Sequence, residues 1–261
     1  MHKLNYSVAG RSQVDHRSVP ANRTHKILNR AVGKALHRYD MIEDGDRIAV
    51  GLSGGKDSLC LMQILSDRLP KIPINYELFA IYIDPGFEKG FGSELKAYAM
   101  KMGYDIRVES TDYGILAHSS KNRENPCFLC SRLRRKRIFE IADELGCSKI
   151  ALGHHKDDII ETLLLNMFYA GEISTMVPLQ PFFKGRFKVI RPLAFVDEDL
   201  IKKFAKQNNF PNFVNPCPSA GHSKRKEIKD LLDRLYKSNS KIKGNIFNSM
   251  TNVRTDYLLK P

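Results

Sequence analysis

The chain has 261 residues, 42% of them hydrophobic, with 17 Gly and 12 Pro, enough for one sizeable α/β domain with small additions at either end. No apolar run reaches the roughly 18 residues of a membrane span, and Met1-His2-Lys3-Leu4-Asn5-Tyr6 lacks the apolar core of a secretion signal, so a cytoplasmic protein without a membrane partner is expected. Forty-two Lys and Arg against 29 Asp and Glu give a net charge of +13, which points to a polyanion such as RNA. Five cysteines, an odd count, argue against a disulfide framework in a reducing compartment and favour metal or sulfur chemistry.

Residues 1–23 are polar and basic and read as a poorly ordered tail. Residues 24–39 predict a helix capped by Thr24, with Ile27, Ala31, Ala35 and Leu36 on its apolar face and Leu28 and Val32 beside it. Lys26, Arg30, Lys34 and Arg38 follow at spacing four as a basic stripe, which suits a solvated face and an RNA contact equally. Glu43-Asp44-Gly45-Asp46 then turns the chain into a short buried strand, Arg47–Leu52.

Ser53-Gly54-Gly55-Lys56-Asp57-Ser58 follows that strand and precedes a helix opening at Leu59. A strand, a glycine turn and a helix N-terminus make a phosphate site, because the first helical N–H groups lack partners and the dipole favours an anion. Gly54 and Gly55 let successive N–H groups face one anion, Lys56 adds a mobile charge, and Ser53 and Ser58 add hydroxyls. The spacing is not that of a Walker A loop, since Val50 stands five before Gly55 and Asp57 follows the lysine. The stretch resembles the PP-loop, the SGGxDS signature of enzymes that cleave ATP between the α and β phosphates. That resemblance implies pyrophosphate on the loop and Lys56, and Mg²⁺ near Asp57.

Tyr76–Ile83 predicts a second parallel strand. Asp84-Pro85-Gly86-Phe87 lies at its carboxyl end, where ligands of doubly wound sheets gather, so Asp84 is a candidate for the adenine and ribose. A helix over Ser93–Met102 and a third strand over Asp105–Ser110 continue the alternation of a parallel sheet.

Cys127 and Cys130 stand three apart, a spacing that suits zinc, an Fe–S cluster or a dithiol pair. The next helix is expected to begin with five cations, Arg132, Arg134, Arg135, Lys136 and Arg137, placed to hold thiolates or grip RNA phosphates. Its later positions Ile138, Ile141, Ala142 and Leu145 are spaced to pack on the sheet. A fourth strand, Ser148–Leu152, runs into Gly153-His154-His155-Lys156-Asp157-Asp158. Gly153 permits close approach, and His154, Asp157 and Asp158 crowd one strand end, as titratable groups at a functional site do. Glu161 suits that group or a helix surface.

Leu163–Tyr169 continues that helix, Phe187–Arg191 predicts a further strand, and Asp197–Gln207 a helix ending at Asn208-Asn209. Asn215-Pro216-Cys217-Pro218 is a rigid turn with a third cysteine. His222-Ser223-Lys224-Arg225-Lys226 opens a polar helix to about Lys237, and 245–254 predicts a last short one. Three parts result: the tail at 1–23, an ATP-using domain at 24–215, and a C-terminal helical segment at 216–261.

Together these segments resemble the tRNA 2-thiocytidine synthetases, the TtcA family of PP-loop tRNA thiolases, from about Asn29 to Leu259. The carrying residues are Met41–Arg47, SGGKDS at 53–58, Cys127-Phe128-Leu129-Cys130-Ser131-Arg132-Leu133-Arg134-Arg135, Ala151–Asp158, Ile190–Leu193 and Pro216-Cys217. The resemblance implies a doubly wound parallel α/β sheet related to the adenine nucleotide α-hydrolases, Rossmann-like, with helical additions at both ends. It implies a homodimer carrying a [4Fe-4S] cluster on Cys127, Cys130 and Cys217, with one iron free for sulfur, and Cys60 and Cys147 as packing residues. Many relatives have a further cysteine where Ala220 stands here, which favours the open iron.

The implied reaction uses ATP and Mg²⁺ to adenylate O2 of an anticodon-loop cytidine, position 32 in the family, and replaces it with sulfur from a cysteine desulfurase or sulfide. Lys56, Asp57 and Asp157 are the catalytic candidates. Ser53, Gly54, Gly55, Lys56, Asp57, Ser58, Asp84, Gly153, His154 and Asp158 are the ATP candidates, and Arg132, Arg134, Arg135, Lys136, Lys224 and Arg225 the RNA candidates. The alternatives are 2-thiouridine synthesis, a PP-loop amidotransferase or lysidine-type ligase, and a non-catalytic RNA-binding protein with structural zinc.

Overall fold

The computed structural model describes residues 22–219 and 224–259. The expected tail up to residue 21, Ala220 and His222-Ser223 lie outside the described residues.

Six strands form one sheet in the order β3-β2-β1-β4-β6-β5. β1 (Asp46–Gly51) sits near the middle, parallel to β2 (Tyr76–Asp84) on one side and β4 (Lys149–Ala151) on the other, with Val50 opposite both Ala80 and Ala151. Ile48, Ala49 and Val50 are all buried, the pattern of a strand covered on both faces. β3 (Ile106–Ser110) extends the sheet beyond β2, and β6 (Phe187–Ile190) lies parallel to β4. The strand order reverses between β1 and β4, where a crevice opens at the carboxyl ends.

β5 (Leu179–Phe182) is antiparallel to β6 and was not expected from the sequence. It is four residues long and contains Pro181, which only an edge strand tolerates. Lys184 and Gly185 adopt positive φ of 57° and 90° in the tight turn that joins the two.

Helices cover both faces. α1 (Arg23–Arg38), α2 (Lys56–Arg68), α3 (Gly92–Lys101) and α7 (Glu198–Gln207) share the larger core, in which Leu28, Val32, Leu61, Leu65 and Phe204 are fully buried. Each such side chain contributes roughly 1.5–3 kcal/mol by leaving water. α4 (Tyr113–Ala117) is a single short turn, and α5 (Pro126–Glu144) packs Phe139, Ile141 and Ala142 on the opposite face. α6 (Lys156–Leu165) follows β4; α8 (Lys224–Ser238) and α9 (Ile242–Ser249) pack against it through Ile160, Ile228 and Leu232. After Leu165 the chain widens into a looser turn, Asn166–Ala170, closed by Gly171.

Two details of α1 differ from expectation. Asn22, not Thr24, caps it, accepting from His25 N at 2.9 Å, while Thr24 is buried. The core stripe is Leu28, Val32 and Ala35, and Ile27 stays half exposed because it falls on the outer side of the arc set by His25 and Leu28. No helix among the described residues is long and apolar enough to cross a membrane.

Candidate active site

β1 delivers the chain to Leu52, and α2 begins four residues later at Lys56. Gly54 holds φ at 79°, and a Cβ there would fall 2.6 Å from Phe91, so the loop needs glycine twice over. Ser58 ties the turn: its Oγ donates to Gly55 O at 2.9 Å and accepts from Ser53 N at 3.1 Å. No side chain caps α2, which leaves its first N–H groups for a ligand anion. A cavity of about 280 Å³ opens here, lined by Ser53, Asp57, Ser58, Gly153, His154, Asp158 and Arg134.

The β4–α6 junction closes its other wall. A Cβ on Gly153 would lie 3.0 Å from the Asp57 carbonyl carbon and the Ser58 nitrogen, so glycine is what lets this junction touch the loop. Asp158 Oδ2 accepts from His155 N at 2.9 Å. His155 is buried, with ring nitrogens 3.7 Å from Asp57, 3.8 Å from Asp157 and 3.5 Å from Asp158. Asp57 Oδ1 is buried and has no hydrogen-bond partner among the described residues.

Lys56 does not line the cavity. Its Nζ lies 3.3 Å from Asp57 and 3.2 Å from Glu198. Burial alone would raise the Glu198 pKa, but hydrogen bonds from Lys229 and Lys202 and the charge of Lys56 hold it near about 2. Asp157 also stands outside the cavity: Oδ2 accepts from Glu198 N at 2.8 Å and Oδ1 pairs with Lys243 at 2.5 Å. Asp84 Oδ1 accepts from Gly86 N at 2.9 Å and shapes the turn after β2 beside, not within, the cavity. Glu161 is no surface carboxylate. It is buried; burial lifts its pKa to about 7, with Asp158 adding to the rise and Arg225 opposing it.

His154 faces the cavity, and its Nδ1 accepts from Arg191 Nε at 3.3 Å, which leaves the ring proton on Nε2. Burial first, and then the Arg191 charge, push the His154 pKa down to about 4, so the ring is neutral at pH 7. Arg191 is itself buried and donates to Val177 O and Gln180 Oε1. Its motif was visible in the sequence without a role; the signal was an arginine at a strand's carboxyl end, fixed by the following proline. A second cavity of about 540 Å³ adjoins the first through Arg134, Ile138, Leu152 and His154, and adds Arg135, Arg191, Arg225 and Gln180.

The cysteine pair lies inside α5, not before it. The helix starts at Pro126, six residues ahead of the cation run, because Asn125 Oδ1 caps it by accepting from Cys127 N at 3.0 Å. Cys127 is exposed and Cys130 half-buried. Cys217 arrives on a separate segment, braced where Phe213 stacks on Phe91 at 5.1 Å and where Ser219 Oγ lies 2.7 Å from His118 Nε2. Burial raises the Cys130 pKa, Arg134 opposes, and negative charge on Cys217 and Cys127 raises it further. The three sulfurs are thus electrostatic neighbours. Among the described residues no three of His, Cys, Asp and Glu gather tightly enough to hold a single metal ion. A polynuclear cluster spreads its thiolate ligands more widely than one ion does, and a set of three thiols with a nearby guanidinium fits that chemistry. Cys60 and Cys147 are buried in the two cores, as expected of packing residues.

The PP-loop domain model matches residues 24–232. The chain is 41% identical over 242 residues to the tRNA-cytidine(32) 2-sulfurtransferase of Geobacter sulfurreducens, covering 91% of this chain and 94% of the relative. It is also 41% identical to the protein of that name from Nitrosospira multiformis, covering 92% and 81%. The chain belongs to the PP-loop tRNA-cytidine(32) 2-sulfurtransferase family. Among solved structures, the U34-tRNA thiolase NcsA of Methanococcus maripaludis, with its [4Fe-4S] cluster, superposes at a TM-score of 0.73 with 27% identity, covering 90% of this chain and 80% of that one. The NH3-dependent NAD synthetase of Campylobacter jejuni, at 14% identity and a TM-score of 0.51, shares the fold alone.

On this sulfurtransferase-family chain the expected RNA cations divide into groups. Arg134 lines both cavities and Arg135 the second. Arg132 pairs with Glu124 at 3.0 Å, and the exposed Lys136 lies 3.8 Å from Glu140. Arg137 is held by Glu109, Glu140 and Glu144, which makes it a brace. Lys224 pairs with Glu227, and Arg225 bridges Asp158 and Glu161 while facing the second cavity.

Proposed function

We propose that this protein thiolates C2 of a cytidine in the anticodon loop of tRNA, position 32 as in the names of its relatives, using ATP. The observation that carries this reading is the adjacency of three parts: a phosphate-loop cavity, a second basic cavity sharing Arg134 and His154 with it, and three thiols presented by α5 and the Cys217 segment.

ATP lies with its phosphates on Ser53–Ser58, and the target cytosine enters the second cavity. O2 of the base attacks the α-phosphorus, forming an O–P bond as the bond to the β-phosphate oxygen breaks. Loop amides hold the departing pyrophosphate, and Lys56 exchanges Glu198 for phosphate oxygens, which Glu198 tolerates because Lys202 and Lys229 remain on it. Neutral His154 donates from Nε2 toward the oxygen that gains charge. Its neutrality suits a donor that must not compete with Arg134 for the phosphate. The buried Oδ1 of Asp57, without a hydrogen-bond partner among the described residues, would hold Mg²⁺, which would neutralise phosphate charge. Asp157, tied to Glu198 and Lys243, acts as a positioning residue.

Cys127, Cys130 and Cys217 would hold a [4Fe-4S] cluster, which when bound would supply a sulfur nucleophile beside the activated base. Sulfur replaces O2 at C2 as AMP departs, without net redox when it arrives as sulfide. Residues 24–215 carry the ATP chemistry, and 216–261 supply the third thiol and brace the junction. Free sulfide supplies the sulfur directly, or a cysteine desulfurase supplies it as a persulfide that a pair of external thiols reduces to sulfide while forming a disulfide, and the protein works as a homodimer in the cytoplasm.

Nucleoside mass spectrometry of tRNA from a host with and without the gene, including a Cys217→Ser rescue, tests this. Loss of 2-thiocytidine restored only by the intact protein is expected. Loss of a 2-thiouridine instead would move the target base, and no change in any thionucleoside would overturn the reading.

A further inference from the structure

α1 takes no part in the site described above, yet it carries the most regular charge pattern in the chain. Lys26, Arg30, Lys34 and Arg38 recur at every fourth residue, and all four are exposed. The one ion pair of α1 among the described residues is His25 with Asp67, on the buried side. Elsewhere exposed cations such as Arg186, Lys202 and Lys226 have carboxylate partners. A column of like charges left without counter-charges repels itself unless an anion covers it.

The column ends in aromatic rings. Lys34 Nζ lies 5.7 Å and the Arg38 guanidinium 5.8 Å from the Phe195 ring centre, and Arg38 lies 5.8 Å from that of Tyr39. Phe195 sits 5.9 Å from both Tyr39 and Phe247. These three rings, with Arg38, Met176 and Met250, line a mainly apolar cavity of about 420 Å³. It shares the Thr175-Met176 wall with the basic second cavity, which in turn shares Arg134 and His154 with the nucleotide cavity. The three form a row from the phosphate loop to the end of α1.

We infer that this row is the path of the tRNA: the α1 column takes the sugar–phosphate backbone, and the aromatic cavity takes one unstacked base neighbouring the target. The inference rests on the function proposed above. A cationic track beside aromatic faces is the chemistry by which single-stranded nucleic acid is held, charge following the backbone and rings taking bases. A protein ligand would meet four like charges beside an apolar pocket and would need a matching acidic stripe.

The test measures tRNA affinity across salt for the wild type and for Arg30→Ala/Lys34→Ala, whose side chains are exposed enough to leave folding intact. A loss of about tenfold near 0.15 M salt is expected, with the slope of log K against log salt falling by between one and two. ATP binding without tRNA should stay unchanged. A Phe247→Ala variant, verified as folded by urea unfolding, should lose the fluorescence change of a tRNA bearing 2-aminopurine beside the target cytidine. Wild-type affinity and slope in the double variant would overturn the inference. So would a change in sedimentation without a change in tRNA binding, which would make this face a contact between copies of the chain. Loss of tRNA binding in the variant alongside a wild type that makes no 2-thiocytidine would sustain the surface and sink the proposed reaction.

Discussion

Replacing Glu161 by Gln should unmask an acid sensitivity that the wild type conceals. His154 is depressed from 6.5 to about 4. Between those values the unfolded chain binds the extra proton, so stability falls as pH drops. Glu161 is raised from 4.5 to about 7. There the folded chain holds the extra proton, so stability rises as pH drops through that window. From pH 7.5 to 5.0, His154 traverses one and a half units below 6.5, a loss of about 2 kcal/mol at 1.36 kcal/mol per unit. Glu161 traverses two units below 7, a gain of about 2 kcal/mol after allowance for solvent around its half-exposed partner Arg225. The two nearly cancel. Gln keeps the hydrogen bond to Arg225 and removes only the titration. Urea unfolding at the two pH values, at one ionic strength, is the assay; every other titrating group is common to both proteins and drops out of the difference. Glu161→Gln should lose about 2 kcal/mol more than the wild type on acidification. His154→Asn should do the reverse and gain relative to the wild type. Profiles parallel within about 0.5 kcal/mol would refute the reasoning.

Asp57→Asn should cost little in melting temperature, because its ion pair with Lys56 at 3.3 Å is partly exposed and Asp57 Oδ1 has no hydrogen-bond partner among the described residues, while tRNA-dependent pyrophosphate release falls by about 10²–10³. Cys217→Ser should keep tRNA-dependent pyrophosphate release yet lose 2-thiocytidine and bound iron, seen by nucleoside mass spectrometry and metal analysis of anaerobic protein. Lys149→Ala should destabilise by about 3 kcal/mol in urea, because Lys149 is buried against Asp46 at 2.6 Å and Glu43 at 3.1 Å and its loss strands the largely buried Asp46 carboxylate.

The parallel sheet was legible because its central strands are covered on both faces, so Ile48–Leu52 and Leu78–Ile83 read as runs without a charged residue within the expected strands. The phosphate loop was legible because backbone curvature, an unfilled helix start and a lysine leave a six-residue trace. β5 was not, because an edge strand needs few apolar residues and its Pro181 argues against a strand anywhere but an edge. Residue types at the site were read from sequence, but their directions were not. Asp157 and Asp158 are neighbours at the start of α6, yet the helical turn sends Asp158 to the cavity and Asp157 to Lys243 and the backbone of Glu198. The convergence of Cys217 on α5 depends on Phe213 stacking on Phe91 and on the meeting of Ser219 with His118, long-range contacts with no local signature.

Charge shows the same division between composition and placement. A net +13 says that a polyanion is near without saying where it lies. Pairing supplies the location. Arg137 sits amid the dense cation run on α5, yet three glutamates hold it, so its charge is committed to the fold. Arg225 pairs with Asp158 at the cavity wall and with the buried Glu161 behind it, so its removal would disturb Asp158 before it disturbed any ligand. Among the described residues Arg134 has no carboxylate partner: its Nε is buried without a hydrogen-bond partner there, and it lies on the boundary that both cavities share. An arginine left unsatisfied at a shared wall is placed to meet a group passing between them. In an adenylation that group is the α-phosphate, bonded to pyrophosphate before the step and to the base after it. Arg134→Lys keeps the charge but loses the planar fork. It should therefore slow pyrophosphate release at saturating ATP and tRNA while leaving the KM for ATP nearly unchanged. A raised KM with unaltered kcat would assign Arg134 to ground-state binding instead.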